Sequence, residues 1–178
     1  MMGCRLRKTL SWFLLLGTLV FLFLLGMGRF AAPPAAAMIT QQEESANQIL
    51  YQSRQTLKDR NELSWQAIAF KRIRPDGEVT FNLRLVGFPG EVELEHPHPL
   101  AITTSMGQAF SAADVSREIY TDTPASPNVG QYDLQLILPQ LSEVVPVRLS
   151  LPTTDGSVVA LDVSSEVIQE WQTVAAQS

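Results

Sequence analysis

The chain has 178 residues, a formal net charge of −5 and one cysteine, Cys4. Four of its 13 basic residues, Arg5, Arg7, Lys8 and Arg29, precede residue 38, and all 18 acidic residues follow it; the remainder therefore sets nine basic residues against 18 acidic ones, a net of −9. That excludes a general affinity for nucleic-acid phosphates and sets the domain as a whole against anionic surfaces. Beyond Cys4 no disulfide, thiol nucleophile or thiolate metal site is available.

The N-terminus has the order of an export signal. Arg5, Arg7 and Lys8 make a basic start, and Leu10 to Gly28 carries no charge before Arg29. The most apolar part, Trp12 to Leu25, is interrupted only by Gly17 and Thr18, and Ala35-Ala36-Ala37 supplies small residues for a signal peptidase. Cleavage is expected before Met38. The rival is a retained anchor, because a helix over residues 10–28 rises about 1.5 Å per residue and nearly spans a bilayer core of roughly 30 Å. Cys4 precedes the apolar run, so it is misplaced for a lipid-bearing cysteine. Residues 1–37 thus read as a signal peptide or membrane anchor, 38–47 as a linker, and 48–178 as one β-rich domain.

Strand periods dominate that domain. Ile49 to Leu57 and Trp65 to Ile73 are expected strands around a charged turn at 58–62, and Arg74-Pro75-Asp76-Gly77 has the composition of a tight reversal. In the next segment Val79, Phe81, Leu83 and Leu85 alternate with Glu78, Thr80, Asn82 and Arg84, which means one buried and one wet face. Phe88-Pro89-Gly90 closes it, and Val92 to Leu94 reads as a further extended stretch. Ser111 to Glu118 has a capping-box-like start and predicts a short helix, and 121–130 reads as a loop. Tyr132 to Leu138, stopped at Pro139, is another expected strand. Val145 to Leu151 follows, with Pro146 arguing for a sheet edge. Asp155-Gly156 is a hairpin signal into Val158 to Val163. Ser164 is a fitting N-cap for a last helix whose Val167, Ile168, Trp171, Val174 and Ala175 recur at helical spacing. About seven strands and one or two helices predict a mainly β fold: an antiparallel sheet curved into a sandwich or half-barrel, covered by the C-terminal helix.

Chemical constellations are sparse. Gly26 to Ala31 matches a loose dinucleotide fingerprint but closes an export segment, so it is rejected; no phosphate loop or nucleophile elbow occurs. His96 and His98 share a strand face yet have no obvious further ligand, and Glu91, Glu93 and Glu95 read as a wet face rather than a calcium site. No cofactor, metal or catalytic residue is expected. Trp65 and Trp171 fall on apolar faces and read as core. The candidates for partner docking are Lys71, Arg72 and Arg74, basic on an acidic domain, and the tip Phe88, Pro89 and Gly90.

Several segments resemble a known family: Ile49-Leu50-Tyr51-Gln52-Ser53-Arg54, Trp65 with Phe70-Lys71-Arg72, and Leu83-Arg84-Leu85-Val86-Gly87-Phe88-Pro89-Gly90. Over roughly 48–174 the chain is similar to an exported cyanobacterial family catalogued as domain of unknown function 3122. The resemblance implies delivery to the periplasm or thylakoid lumen and carries no activity or site residues. The functional expectation is a non-catalytic accessory protein, joined to the membrane through its N-terminal segment and to a membrane protein complex by its surface. The alternative is a module holding a small apolar ligand, a pigment or lipid, inside the curved sheet. Phe81, Leu83 and Leu136 are expected to fill the core in the first case, and a cavity of about 300 Å³ or more marks the second.

Overall fold

The alternation in 79–86 places Phe81, Leu83 and Leu85 on one buried face and half-buries Thr80 and Arg84 on the other, but it fails at two positions: Val79, at the strand's start, is exposed, and Asn82, expected on the wet face, is buried between Phe70 and Asp133 in its row. In the computed structural model, which describes residues 40–45 (backbone only), 48–119 and 126–178, this strand belongs to a five-stranded antiparallel sheet of order β1-β2-β3-β4-β7. Its members are β1 (Thr40–Ser45), β2 (Gln48–Lys58), β3 (Ser64–Ile73), β4 (Val79–Val86) and β7 (Val129–Asp133). A four-stranded antiparallel sheet of order β6-β5-β8-β9 faces it, built from β5 (Leu100–Thr104), β6 (Ala109–Ala112), β8 (Val147–Pro152) and β9 (Val158–Val163). The chain ends on helix α1 (Ser165–Ala176). All of this lies in one unit, Ala37–Ser178. The leader expected over 1–37 is outside the described residues.

The fold is mainly β, and its sandwich is pinched rather than closed. Single bridges join the sheets at the two seams, Asp59 to Leu161 and Asp114 to Tyr132, with no ladder continuing across either. The five-stranded sheet turns Tyr51, Leu57, Trp65, Ala67, Ala69, Phe81, Leu83, Leu85 and Tyr132 inward, and the other sheet opposes them with residues such as Leu100, Ile102, Leu149, Leu151 and Leu161. Helix α1 lies against β2 and β3. It fits there because Ser53, Ala67 and Ala69 are small, leaving room for Ile168, Trp171 and Val174, all fully buried. Glu170 then accepts hydrogen bonds from the Ser53 hydroxyl and from Gln55 Nε2, the latter at 2.7 Å. Gly87 is dictated by packing: a Cβ there would come within 2.9 Å of the Trp65 ring.

Several expectations are corrected. The expected linker 38–47 contains β1, which extends the sheet beside β2, and among the described residues there are nine strands rather than about seven. No helix starts at Ser111. That residue pairs with Ala101 in the β5–β6 ladder, and Asp114 Oδ1 accepts the Ser116 amide at 2.8 Å, so only a single 3-10 turn forms at Ser116–Ile119. The strand expected over 132–138 begins earlier, at Val129 inside the expected loop, and ends at Asp133. There Asp133 Oδ1 takes the Gln135 amide at 2.9 Å and bends the chain into a turn and a 3-10 segment, Leu138–Gln140. The bend buries Leu134 and Leu138 and leaves Leu136, expected in the core, 80% exposed. Val92 to Leu94 makes one bridge, Leu94 to Thr153, instead of a strand. Pro146 does not mark an edge: β8 is interior, between β5 and β9, and Pro146 stands just before it, its carbonyl accepting the Ser105 N–H at 3.1 Å. Strand β5 escaped the sequence reading because its alternation, Leu100, Ile102 and Thr104 buried against Ala101 and Thr103 exposed, is written in residues of weak contrast.

Candidate docking face

The register of β2, β3, β4 and β7 decides what stands together on the outer face of the five-stranded sheet. Leu50 lies opposite Arg72; Gln52, Phe70, Asn82 and Asp133 form the next row; Arg54, Ile68, Arg84 and Gln131 form the third. Leu50, Ile68 and Phe70 make a small apolar cluster of their own, separate from the core between the sheets. Two guanidinium groups cover Phe70, Arg72 at 5.5 Å and Arg84 at 5.3 Å from its ring centroid, a cation–π arrangement that buries the ring and pre-orients both cations. Gln131 Oε1 accepts from Arg84 Nε at 3.1 Å and Nη2 at 2.8 Å, fixing that fork further. Arg54 completes the set at an exposed position. Together with Gln52 these residues line a shallow depression of about 240 Å³. Asp133, at the end of the Phe70 row, is engaged with the Gln135 amide.

Strand alternation divides the expected basic cluster. Arg72 faces outward with Phe70, whereas Lys71 is on the inner side with Ala69, and its ammonium donates to the carbonyls of Ala175 at 2.8 Å and Gln177 at 2.6 Å. It therefore caps the negative end of α1. Arg74 pairs with Glu78 across the reversal. Lys71→Met should accordingly cost about 2 kcal/mol in urea unfolding, from two charge-assisted hydrogen bonds at a half-buried site. Arg74→Met, at an exposed ion pair, should change it by less than about 1 kcal/mol. Equal effects of the two would show that Lys71 does not anchor the helix.

Phe88, Pro89 and Gly90 form an exposed tip; Phe88 is 67% exposed and Gly90 supplies the positive φ of 83° that the turn uses. The tip follows β4 after Gly87, whereas Arg72 sits in the Leu50 row near the other end of that strand, opposite Thr80. Of the expected docking residues, the arginine face keeps Arg72 alone. Arg54, Arg84 and Phe70 were missed, since each is an ordinary strand residue until the register aligns them. Trp65 and Trp171 are core, 1% and 0% exposed.

The two histidines differ. His98 is exposed, but His96, which precedes a cis proline, is half-buried with Nδ1 2.6 Å from Asp114 Oδ2. Burial raises the Asp114 pKa, but hydrogen bonds from Ser116 and His96 outweigh it and hold the carboxyl below its ordinary value. Asp114 thus ties the 96–98 segment to the seam at Tyr132, whose own hydroxyl is pushed beyond the ordinary tyrosine range by burial and by the Asp114 charge. Among the described residues no group of three or more His, Cys, Asp or Glu side chains is placed to hold a metal ion. Glu91, Glu93 and Glu95 are exposed, and Thr154 donates to Glu93 at 3.4 Å.

Fold and face together define a small antiparallel β-sandwich with a helix sealed to its inner surface and an arginine platform on its outer one. The family model described as "Protein of unknown function (DUF3122)" matches residues 37–174, and the chain belongs to that family. The match begins at residue 37, where the β unit begins, and ends within the last helix. No curated protein and no solved structure matches the chain. Among the described residues no helix is long and apolar enough to cross a membrane.

Proposed function

We propose that this is a non-catalytic interaction protein, exported or held at a membrane by its N-terminal segment, which engages an anionic partner at that membrane through the outer face of its five-stranded sheet. The observation that carries the reading is the convergence of Arg54, Arg72 and Arg84 over the apolar floor of Leu50, Ile68 and Phe70. Three of the domain's nine basic residues are gathered on one small face of a domain with net charge −9. Such local charge contributes to the rate and orientation of encounter. The space between the sheets favours this surface over an internal ligand: a pigment or lipid there would have to displace Trp65, Trp171, Tyr132 and Leu83, each nearly or fully buried.

Arg54→Glu with Arg84→Glu should lower recovery of membrane lipids and proteins with the detergent-extracted chain by about tenfold at low salt, an effect of the size electrostatic steering supports. The melting temperature should stay near that of the parent. Unchanged recovery would remove the platform from the function. For placement, the basic start and the apolar run of 10–28 support export with a cut before Met38. N-terminal sequencing of membrane and soluble fractions should find Met38 first; an intact start in the membrane would mean an anchor, and the full chain in the cytosol would refute export.

A further inference from the structure

We propose that a groove at one end of the sandwich takes a short, extended, basic segment of a partner protein, added as a strand at the open edge of β9. The groove shares no residue with the arginine face, and the inference does not rest on it.

The groove is enclosed by the 153–157 hairpin with the start of β9, the 59–63 turn and the segment 90–93, and its volume of about 400 Å³ falls in the range of ligand sites. A stable interface between folded proteins takes roughly 20–30 residues a side; this space suits a few residues of peptide. Its docking edge is β9. Thr153 N–H donates to the Ser157 carbonyl at 3.0 Å, so those two form a hydrogen-bonded pair. The two kinds of pair alternate along an antiparallel ladder, which makes Pro152 and Val158 a non-hydrogen-bonded one. The N–H and C=O of Val158 therefore point away from β8, on the side of the groove that Val158 lines. Among the described residues, that side of β9 is met only by Asp59, which bridges Leu161. Toward the hairpin the edge is open, and Val158 is 61% exposed. Strand β9 carries no Pro, Lys or bulge of the kind that blunts an edge. Such an edge binds an extended chain through main-chain hydrogen bonds.

Charge names the occupant. Four carboxylates line the groove, Asp59, Glu91, Glu93 and Asp155, and no basic side chain does. Asp59 and Asp155 are engaged by the amides of their own turns. Asp155 is charged all the same, because hydrogen bonds from Thr153 and Ser157 hold its carboxyl down at about 2. Glu91 and Glu93 are exposed and complete the negative wall. Alternate residues of an added strand share a face, so lysines or arginines at every second position are presented together to that wall. The walls are set before binding: Asp59 Oδ1 holds the Asn61 and Leu63 amides, and Thr154 N–H donates to the Glu93 carbonyl at 2.9 Å. Little ordering remains to offset the affinity.

The test uses the full chain in an uncharged detergent, titrated by calorimetry at low salt with three probes. These are the capped hexapeptide acetyl-Thr-Lys-Thr-Lys-Thr-Lys-amide, the same peptide with Glu for Lys, and spermidine, a cation of equal charge without a peptide backbone. One lysine peptide per chain is expected to bind, about tenfold or more tighter than either other probe. Glu91→Gln with Glu93→Gln should weaken it about tenfold. The charge-matched Glu118→Gln with Glu143→Gln, outside the groove, should not. Val158→Pro removes the outward N–H and should weaken it about fivefold; the exposed Glu91 and Glu93 pair keeps the comparison readable if that variant fails to fold. Spermidine binding as tight as the lysine peptide, equal binding of the two peptides, an unchanged affinity in the Glu91 and Glu93 variant, or no binding overturns the proposal. A folded Val158→Pro that binds like the parent overturns it too, since strand addition needs that edge.

Discussion

Trp171→Ala should lower the unfolding free energy by about 3–5 kcal/mol, the range for removing a large buried aromatic. Trp171 is 0% exposed and stands between Ile168 and Val174 on the one helix face that meets the sheet. The inner face of β2 and β3 beneath the helix carries Ser53, Ala67 and Ala69, whose short side chains cannot extend to fill the space it leaves. The cavity therefore stays open, and the cost approaches the upper part of that range. Trp171→Phe should cost far less, about 1 kcal/mol. It keeps most of the volume and removes an indole N–H that is buried without a hydrogen-bond partner. Guanidinium unfolding of both variants checks this. If Trp171→Ala costs under about 2 kcal/mol, the helix is not an integral part of the core. Small domains are stable by only about 5–15 kcal/mol in total, so the alanine variant should also melt well below the parent.

Asp59→Ala should cost about 3 kcal/mol, because one buried carboxylate serves several groups at once. Its Oδ1 accepts the amides of Asn61 at 2.8 Å and Leu63 at 3.0 Å, closing the β2–β3 turn in which Glu62 holds a positive φ of 63°. Its Oδ2 is 3.4 Å from Trp65 Nε1. The same residue makes the bridge to Leu161 that joins the two sheets. Hydrogen bonds to a charged group contribute about 1.5–3 kcal/mol each, and removing the acceptor leaves the buried indole N–H unpaired. Asp59→Asn, which keeps a carbonyl oxygen, should recover about half of the loss. A loss under about 1 kcal/mol for Asp59→Ala in urea unfolding would show that the turn and the seam hold without it.

Asp59 and Asp114 secure a sandwich whose sheet edges touch. Each seam is a single bridge, and each has an aspartate at it: Asp59 beside Leu161 and Asp114 beside Tyr132. A side chain with two acceptor oxygens can satisfy backbone donors that a ladder would otherwise take up, as both do for amides two residues on. Neither aspartate is distinguishable in the sequence from the domain's other acidic residues. What marks them is burial together with the groups that converge on them.

The platform has a similar origin. The sequence showed basic residues at 71, 72 and 74 and read them as one patch, because proximity in sequence is all that a sequence offers. In a strand neighbouring side chains point to opposite faces, so Lys71 goes inward to the end of α1 and Arg72 outward to Phe70. Arg54 and Arg84 reach the outer face from β2 and β4 by pairing with Ile68. Residues 30 positions apart meet there while adjacent ones part.

The sequence by itself determined the β class, the hairpin reversals near Pro75-Asp76-Gly77 and Asp155-Gly156, the inward row Phe81, Leu83 and Leu85, and the last helix with its buried stripe. Each follows from local rules, period and turn chemistry, which need no distant partner. The tertiary structure alone decided that 40–45 is a strand, that β8 is interior despite Pro146, and that the chain bends after Asp133 so that Leu136 faces solvent. It alone brought Arg72 and Arg84 over one ring, with Arg54 on the same face. The bend comes from the Asp133 side chain taking the Gln135 amide; for the other three the physical reason is common: strand order and register are set by pairing between segments distant in sequence, and a shift of one residue would exchange the two faces of a strand.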